Sequence, residues 1–464
     1  MSSDWTRYRL EELGHIVTGK TPPSKVQDAF SDSGVPFVTP RDMDGRRWID
    51  RTERYLSETG VTAVNKSLVP KNSVAVSCIG SDMGKAVLVS CDSVTNQQIN
   101  TIVVDTEKFN PVFIYYVLST QQDALKSIAG GSATPILNKG HFGKFEIKLP
   151  TKDEQDRLVE YLDCLDSKFE LNTQTNQTLE QIAQALYKSW FVDFDPVKAK
   201  IAVLEAGGTA EDAELAAMSI IAAKSPEQLI ELKQANPDAY EQLAQTAALF
   251  SSAMQESELG DIPEGWEVSE IGSEVSVVGG GTPSTKNTTF WEGGSIHWTT
   301  PKDMSALNSK VLTNTSRKIT PAGLKKISSG LLPVNTVLIS SRAPVGYLAL
   351  AKIPVAVNQG YIAMKCEGRL SPEFVMLWCE QNMAEIKQRA SGTTFAEISK
   401  ANFKPIKILV PRKDIVENFT AQATDIFASV TGNIHQSNSL SATRDLLLPE
   451  LLAGNRFAQL GNEA

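Results

Sequence analysis

The stretch GHIVTGKT, Gly14–Thr21, comes closer to a catalytic motif than any other part of the sequence. It matches the P-loop pattern, in which a glycine-rich turn and a Lys-Thr pair hold nucleotide phosphates. That chemistry needs a buried strand before the loop and a helix that begins at the Lys-Thr pair. Pro22 and Pro23 follow at once and push the residues before them toward extended conformations, so a helix cannot begin there. A P-loop NTPase is therefore a disfavoured alternative.

Other residue types that carry chemistry are scattered along the chain. Its four histidines form no HExxH motif, and its five cysteines have no metal-ligand spacing. No glycine loop for a methionine-derived cofactor is present, and few, unpaired cysteines are typical of reduced cytoplasmic proteins. No apolar run is long enough to span a membrane. We therefore expect a cytoplasmic, non-enzymatic protein with no catalytic residues, no metal, no bound cofactor and no membrane association.

The chain contains two copies of one pattern, separated by 261 residues. TPRDM at Thr39–Met43 recurs as TPKDM at Thr300–Met304, and Trp5 and Pro150 recur at the same offset. Each copy mixes short β-rich runs, such as NSVAVSCI and NTVLISS, with helical stretches that end at glycine. This pattern predicts two tandem α+β domains.

Long helices follow Pro150 and Pro411. In each helix the apolar positions are spaced alternately four and three, as in a coiled coil. Both seams turn polar at the same two places, so we predict that the two helices pack on each other; separate amphipathic helices are the alternative. The seam positions are Leu158, Leu162, Leu165, Phe169, Asn172, Asn176, Leu179, Ala183, Leu186 and Trp190, and Phe419, Ala423, Ile426, Val430, Asn433, Ser437, Leu440, Arg444, Leu447 and Leu451.

Charge differs between these parts of the chain. The repeats carry net charges of +1 and +3, and the helical regions −11 and −2, within a total of −9. The repeats can thus offer basic surface to phosphate although the whole chain is acidic. The predicted regions are repeat one at 1–150, a long helix at 151–196, an Ala- and Glu-rich helical insertion at 197–257, repeat two at 258–411 and a second long helix at 412–464.

The combined motifs resemble the specificity subunit of type I restriction-modification enzymes. The resemblance rests on the paired Gly-Thr-Pro-like loops, TPRDM and TPKDM, VLISSRAPVGYLAL, and the Asn-Gln steps. It also rests on the phrases LEQIAQALYKSWFVDFDPV, LGDIPEGW and TRDLLLPELLAG, and it covers essentially the whole chain. The first repeat departs from the pattern, with VAVSCIGSDMGKAVLV in place of VLISSRAPVGYLAL.

This resemblance implies an α+β fold in which two target recognition domains lie in a pseudo-twofold arrangement. The long helices that separate them would form an antiparallel coiled coil. Each domain would read one half of a bipartite, asymmetric site in double-stranded DNA. The helices would dock two methylation subunits that bind S-adenosylmethionine and methylate adenine at N6. Motor and nuclease subunits would supply ATP- and Mg-dependent translocation and cleavage.

Candidate DNA contacts are polar and basic residues in the loops that the repeats share, because such side chains bind phosphates and base edges. A coiled-coil adaptor without a DNA role is the remaining alternative. For Thr39, Pro40, Asp42 and Met43 we expect a structural role instead, as parts of a turn. The candidate contacts are Lys20, Thr21, Arg41, Ser77, Lys85 and Gln97 in the first repeat, and Thr282, Lys286, Lys302, Ser341, Arg342, Tyr347 and Gln359 in the second.

Overall fold

The computed structural model describes residues 5–80, 82–129, 136–392 and 396–452. The chain forms two compact units. The first contains the chain up to Phe169 together with the residues from Ser439 onward, and the second is Glu170–Asn438. Within the described ranges, no helix is both long enough and apolar enough to cross a membrane.

The first unit contains the first repeat. Within the described residues, the strands are β1 (Thr6–Arg9), β2 (Gly14–Thr18), β3 (Phe30–Ser31), β4 (Val35–Val38), β5 (Trp48–Ile49), β6 (Tyr55–Leu56), β7 (Leu68–Val69), β8 (Val74–Ser77), β9 (Ala86–Val89), β10 (Ser93–Thr95), β11 (Ile99–Val104) and β12 (Glu146–Leu149). The helices of the repeat are α1 (Glu58–Ala63), α2 (Pro111–Ser119), α3 (Gln122–Ser127) and α4 (Lys139–Gly143), and α5 (Lys152–Phe191) then leads into the second unit.

The sheets of the first repeat join strands that are far apart in sequence. One five-stranded sheet has the order β2-β11-β8-β9-β5, another has the order β3-β6-β4-β10-β7, and β1 pairs with β12. Pairing is parallel between β5 and β9 and between β4 and β10, and antiparallel elsewhere. The repeat is therefore a mixed sheet structure rather than a regular βαβ fold.

The central strand β8 is buried along its whole length because both of its faces are covered. Val74 and Val76 pack into one hydrophobic cluster with Phe113 of α2. Ala75, between them, packs into another cluster with Val38 of β4. Successive side chains of a strand point to opposite faces, so one strand serves two cores.

The second unit begins with the last part of α5 and contains the insertion, the second repeat and most of the second long helix. Its short helices before the repeat are α6 (Asp195–Glu205), α7 (Ala210–Ala222), α8 (Pro226–Ala235) and α9 (Pro237–Ala248). The strands are β13 (Met254–Ser257), β14 (Gly260–Pro263), β15 (Glu267–Glu270), β16 (Ser276–Val278), β17 (Ile296–Thr299), β18 (Val311–Leu312), β19 (Arg317–Ile319), β20 (Thr336–Ser340), β21 (Leu348–Ala351), β22 (Ala356–Val357), β23 (Tyr361–Lys365) and β24 (Lys407–Val410). The helices that follow are α10 (Ile271–Glu274), α11 (Pro301–Ser305), α12 (Pro321–Leu324), α13 (Pro372–Gln381), α14 (Met383–Gln388), α15 (Lys400–Phe403) and α16 (Lys413–Leu452).

The insertion predicted at 197–257 is helical as far as Ala248 and then changes character. Its last residues form strand β13, which pairs with β14 in an antiparallel hairpin. Val197 and Phe250 anchor the insertion in the main hydrophobic cluster of the second unit. The Lys200 amine is buried, which lowers its pKa, and it donates to the carbonyl oxygen of Phe250 at 2.8 Å, so one of its buried N–H groups has an acceptor.

The second repeat has the same strand order as the first. Its five-stranded sheet, β16-β23-β20-β21-β18, corresponds to β2-β11-β8-β9-β5, and its three-stranded sheet, β19-β17-β22, corresponds to β6-β4-β10. The pairing of β15 with β24 repeats that of β1 with β12. Parallel pairing also recurs, between β18 and β21 and between β17 and β22. The prediction of two tandem mixed α/β domains is confirmed.

The two long helices pack on each other in each unit, as the seam predicted, and they run antiparallel, as the resemblance implied. In the second unit, Ala183 and Trp190 of α5 share a hydrophobic cluster with Phe419 of α16. In the first unit, Leu158 of α5 shares a cluster with Leu451 of α16. In both units the cluster combines the long helices with the repeat itself, so each repeat is built onto the helix pair.

The polar seam positions bond to one another across the helix pair. The Asn172 side-chain amide donates to Ser437 Oγ at 3.2 Å, and the Asn433 amide donates to Asn176 Oδ1 at 2.9 Å. Each contact becomes the other when the 261-residue offset is applied, as the local twofold symmetry of an antiparallel pair requires. The Asn172 amide also donates to Gln436 Oε1, and the Asn176 amide donates to the Val430 carbonyl oxygen. These polar contacts would be lost if the helices slid past each other, so they favour one register over shifted ones.

A buried ion network joins the first repeat to both long helices within the first unit. Arg47, which precedes β5, lies 3.7 Å from Asp166 of α5 and also pairs with Asp163. The Tyr116 hydroxyl of α2 donates to Asp166 at 2.7 Å, and Arg444 of α16 binds Asp166 at 3.0 Å. Burial, together with the negative charge of Asp166, raises the pKa of Tyr116, so this hydroxyl stays protonated and remains a donor.

Candidate nucleic-acid interface

In each repeat, the threonine of the Gly-Thr-Pro-like loop is hydrogen-bonded to the glutamine of the Asn-Gln pair. Thr21 Oγ1 donates to Gln97 Oε1 at 2.6 Å, and Thr282 Oγ1 donates to Gln359 Oε1 at 2.7 Å. Both glutamines are exposed. In each repeat the structure thus brings two of the candidate DNA contacts together, although they are more than seventy residues apart in sequence.

Glycine is required where each of these loops begins, because the backbone passes directly against a neighbouring strand end. A Cβ atom on Gly19 would lie 2.1 Å from the carbonyl oxygen of Asn96, and one on Gly280 would lie 1.9 Å from that of Val357. The following amides, of Lys20 and Gly281, donate to the carbonyl oxygens of Thr95 and Val357 at 2.8 and 2.9 Å. This close approach holds the loop at the end of the sheet.

The P-loop match does not form a phosphate-binding site. Residues Gly14–Thr18 are strand β2, and no helix begins at Lys20 or Thr21. The Thr21 hydroxyl, which would bind magnesium in a P-loop, is held by Gln97 instead. The sequence match is therefore a strand that runs into an irregular loop.

The TPRDM and TPKDM motifs form the same turn in both repeats. Asp42 accepts hydrogen bonds from the Thr39 amide and hydroxyl and from the Glu53 amide at 2.7–2.8 Å. Asp303 accepts the equivalent bonds from Thr300 and from the Ser316 amide at 2.8–2.9 Å. Each carboxylate therefore ties its own turn to the chain that leads into β6 or β19.

Asp303 remains ionised well below neutral pH. Burial tends to raise its pKa, but hydrogen bonds from Ser316 and Thr300 outweigh that effect and hold the pKa below its usual value. The methionines of both motifs, Met43 and Met304, are buried in the hydrophobic cores. These contacts support the structural role expected for the motif.

The loop after the central strand is fastened differently in the two repeats. In the second, Ser340 Oγ accepts hydrogen bonds from the amides of Gly346 and Tyr347 and donates to the Pro344 carbonyl oxygen at 2.8 Å. Ser77 occupies the equivalent strand end in the first repeat, but its buried hydroxyl has no hydrogen-bond partner in the described part of the chain. Tyr347 also lines an open cleft of about 660 Å³ with Lys387.

The candidate contacts differ in their access to solvent. Ser77 and Ser341 are 0% and 3% exposed, so burial removes them from the set of side chains that can reach DNA in this structure. Thr21, Lys85, Arg342 and Tyr347 are half-buried. The exposed candidates are Lys20, Arg41, Gln97, Thr282, Lys286, Lys302 and Gln359.

Some of the basic candidates already have acidic partners. Arg41 lies 3.9 Å from Glu53, Lys85 lies 2.8 Å from Asp82, and Arg342 lies 3.7 Å from Glu397. In contrast, Lys20, Lys286 and Lys302 form no ion pair with any residue that the structure describes. The lysines therefore offer their charge to a ligand without first breaking an ion pair.

Sequence reasoning missed two arginines that stack on aromatic pairs. Arg54 lies with its Cζ 3.4 Å from the ring centroid of Phe30, beside Phe37. Arg317 lies 3.6 Å from the centroid of Trp291, beside Trp298. The aromatic positions recur at the 261-residue offset and the arginines at an offset of 263. An alignment of the two repeats that allowed shifts of one or two residues would therefore have paired these positions.

Comparison with known proteins gives a consistent picture. A family model described as the type I restriction modification DNA specificity domain matches residues 2–181 and 263–430. The chain is 31% identical to the type I restriction enzyme HindI specificity subunit of Haemophilus influenzae, over 97% of this chain and 99% of that protein. It is 22% identical to the type I restriction enzyme MjaIX specificity subunit of Methanocaldococcus jannaschii, over 97% and 93% of the two chains.

Among solved structures, the fold is similar to that of the type I restriction-modification system S subunit from M. genitalium. The TM-score is 0.52 at 14% sequence identity, and the match covers 97% of this chain and 96% of that one. The similarity includes both repeats and the long helices between and after them.

Proposed function

Because the chain belongs to the type I restriction-modification DNA specificity family, we propose that each of its repeats reads one half of a bipartite, asymmetric site in double-stranded DNA. The observation that carries this proposal is the duplication itself. The two repeats share their strand order, their Thr–Gln hydrogen bonds, the turns closed by Asp42 and Asp303, and the arginines stacked on aromatic rings. Their loop sequences differ. Two domains that have the same fold but different loop sequences suit a protein that reads two different sequences on one duplex.

The long helices would set the spacing between the two half-sites. Their antiparallel contacts within each unit, including the amide pairs of the seam, support a fixed register of α5 against α16. We further propose that these helices dock two methylation subunits. In the complete enzyme they would also support association with motor and nuclease subunits.

The chemistry would belong to those partners. S-adenosylmethionine would bind to the methylation subunits, which would modify adenine at N6, and ATP with magnesium would bind to the motor subunits. This chain would contribute recognition in the cytoplasm, without a catalytic residue of its own. The unpaired charges of Lys20, Lys286 and Lys302 within the described part of the chain support binding to a polyanion in the assembled complex.

Co-expression with the cognate methylation subunit in a host that lacks other adenine methylation tests this proposal. Mapping of N6-methyladenine across the host genome should show one motif with two defined halves separated by unread base pairs. The matched control is the methylation subunit alone. A host genome without a new methylated motif, or a motif that is continuous, would contradict the proposal.

A further inference from the structure

We propose that Arg54 and Arg317 are equivalent DNA phosphate contacts, one in each repeat, which hold the duplex without reading its sequence. This inference rests on the proposed function, since it concerns how the same surface binds DNA. It starts from the duplicated stack of a guanidinium on two aromatic rings.

The stack fixes the orientation of each arginine. The rings of Phe30 and Phe37 meet edge to face with centroids 5.3 Å apart, and those of Trp291 and Trp298 do so at 5.0 Å. A guanidinium that lies over such a ring is held by cation–π attraction, with its N–H groups directed outward in its own plane. That fork of donors matches two oxygens of a phosphate group.

The charge of each stacked arginine is free to bind a ligand. Both arginines are exposed, and neither guanidinium forms an ion pair or a hydrogen bond with any residue in the described ranges. Arg46, in contrast, is held between Asp44 and Asp50. The aromatic rings thus hold each stacked guanidinium in place, and no described residue supplies a counter-charge.

The stacks also lie beside the loops that carry the candidate contacts. In the second repeat, Trp298 Nε1 donates to the Gly281 carbonyl oxygen and Trp291 Nε1 to that of Ser284, both at 3.1 Å. These bonds fasten the aromatic pair to the loop that contains Thr282. In the first repeat, the Phe37 amide donates to the Arg54 carbonyl oxygen at 3.0 Å, and the next residue, Val38, accepts from the Asn96 amide at 2.9 Å.

Duplication favours a phosphate over a base edge as the ligand. Two half-sites of different sequence have the phosphate backbone in common, whereas their base edges differ. A residue that occupies the same place in both repeats is therefore suited to the feature that both half-sites share. The residues that differ between the repeats are then available for recognition of the bases.

The test measures equilibrium binding of the full chain, in complex with its methylation subunit, to two duplexes. One duplex contains the mapped motif and the other has both halves scrambled, and the salt concentration is varied between about 50 and 200 mM. We expect Arg54→Ala and Arg317→Ala each to weaken binding to both duplexes by a similar factor, about threefold to tenfold. In each variant the slope of log affinity against log salt should fall by about 0.9, as expected when one phosphate is no longer neutralised. Arg317→Lys should keep most of that slope, because it keeps the charge.

Lys318→Ala is the matched control, because Lys318 is exposed and follows Arg317 on β19, with its side chain on the opposite face of the strand. It should bind both duplexes like the wild type. Unchanged affinity of the arginine variants, an equal loss in Lys318→Ala, or a loss confined to the motif duplex would overturn the phosphate assignment. Failure of the wild-type complex to prefer the motif duplex would instead contradict the proposed function.

Discussion

The two repeats build the same five-stranded sheet, but they fasten the loop after its central strand in different ways. Ser340 ties its loop down with three hydrogen bonds, whereas the hydroxyl of Ser77 is buried without a partner among the described residues. The Thr-Gln pairs and the aspartate caps, in contrast, are the same in both repeats. The contacts present in both repeats therefore maintain the common fold, whereas the loop after the central strand can differ between the repeats without changing that fold.

The contacts of the repeats with the long helices differ as well. Aromatic rings dominate in the second unit, where Phe419 of α16 lies within 6.1 Å, between ring centroids, of Tyr187, Trp190, Phe191 and Phe374. In the first unit, leucines are combined with the Arg47 network. The same topology is thus held by dispersion in one unit and partly by buried charge in the other.

The largest expected effect concerns the aromatic contacts. Phe419→Ala should destabilise the second unit by about 3–5 kcal/mol, because it leaves a cavity among four rings. Its counterpart in the first unit is Leu158, which is equally buried. Leu158→Ala should cost less, toward the low end of about 2–5 kcal/mol. Hydrogen exchange resolved by segment measures both, and equal losses of protection would contradict the comparison.

The buried charges should give the next largest effect. Arg47→Ala removes a buried guanidinium that pairs with Asp163 and Asp166 and leaves Asp166 with Arg444 as its cation, so it should cost the first unit about 2–3 kcal/mol. Lys310, which precedes β18, pairs with Glu380, but both side chains are 27% exposed. Lys310→Ala should therefore cost under about 1 kcal/mol. A thermal unfolding series compares the two variants, and a larger effect at Lys310 would show that burial does not decide the strength of these pairs.

The aspartate caps should have smaller and nearly equal effects, because their contacts are the same. Asp42→Ala and Asp303→Ala should each cost about 1–3 kcal/mol, since each leaves backbone amides without an acceptor. Urea denaturation of both variants against the wild type measures this. A cost confined to one repeat would contradict the shared role of the motif.

The cap of the second repeat also predicts a dependence on pH. The pKa of Asp303 is lowered in the folded state, so its contribution is complete above the unfolded pKa of about 3.9. It is lost as the pH falls further, through the folded-state pKa. Asp303→Asn should therefore flatten the decline of stability below about pH 4. An unchanged pH profile would exclude Asp303 as a source of that decline.

The sequence was sufficient to predict the repeats, the seam and the pairing of the helices, because those features depend on periodicity and register. The polar positions Asn172 and Asn433 could be recognised as special for the same reason. Contacts that depend on one loop folding against one strand could not be read in this way. Ser77 looked like an accessible polar residue, yet it lies at a strand end that is covered on both sides.

The arginine stacks were missed for a physical reason as well. Phe30 and Phe37 in the first repeat become Trp291 and Trp298 in the second, and Arg54 and Arg317 are shifted by two residues from the common offset. Any large ring can support a guanidinium, so the stack survives a change of residue type. Comparison of the repeats can show that these positions correspond, but only the fold shows that each arginine lies over the rings.

In the proposed function, each repeat determines one half of the DNA site. The most direct test replaces residues 1–150 by the same region of a relative with a different target, co-expresses the hybrid with the methylation subunit, and maps N6-methyladenine. We expect a motif in which one half is new, while the other half and the number of unread base pairs are retained. An unchanged motif, or a change in both halves, would contradict this expectation.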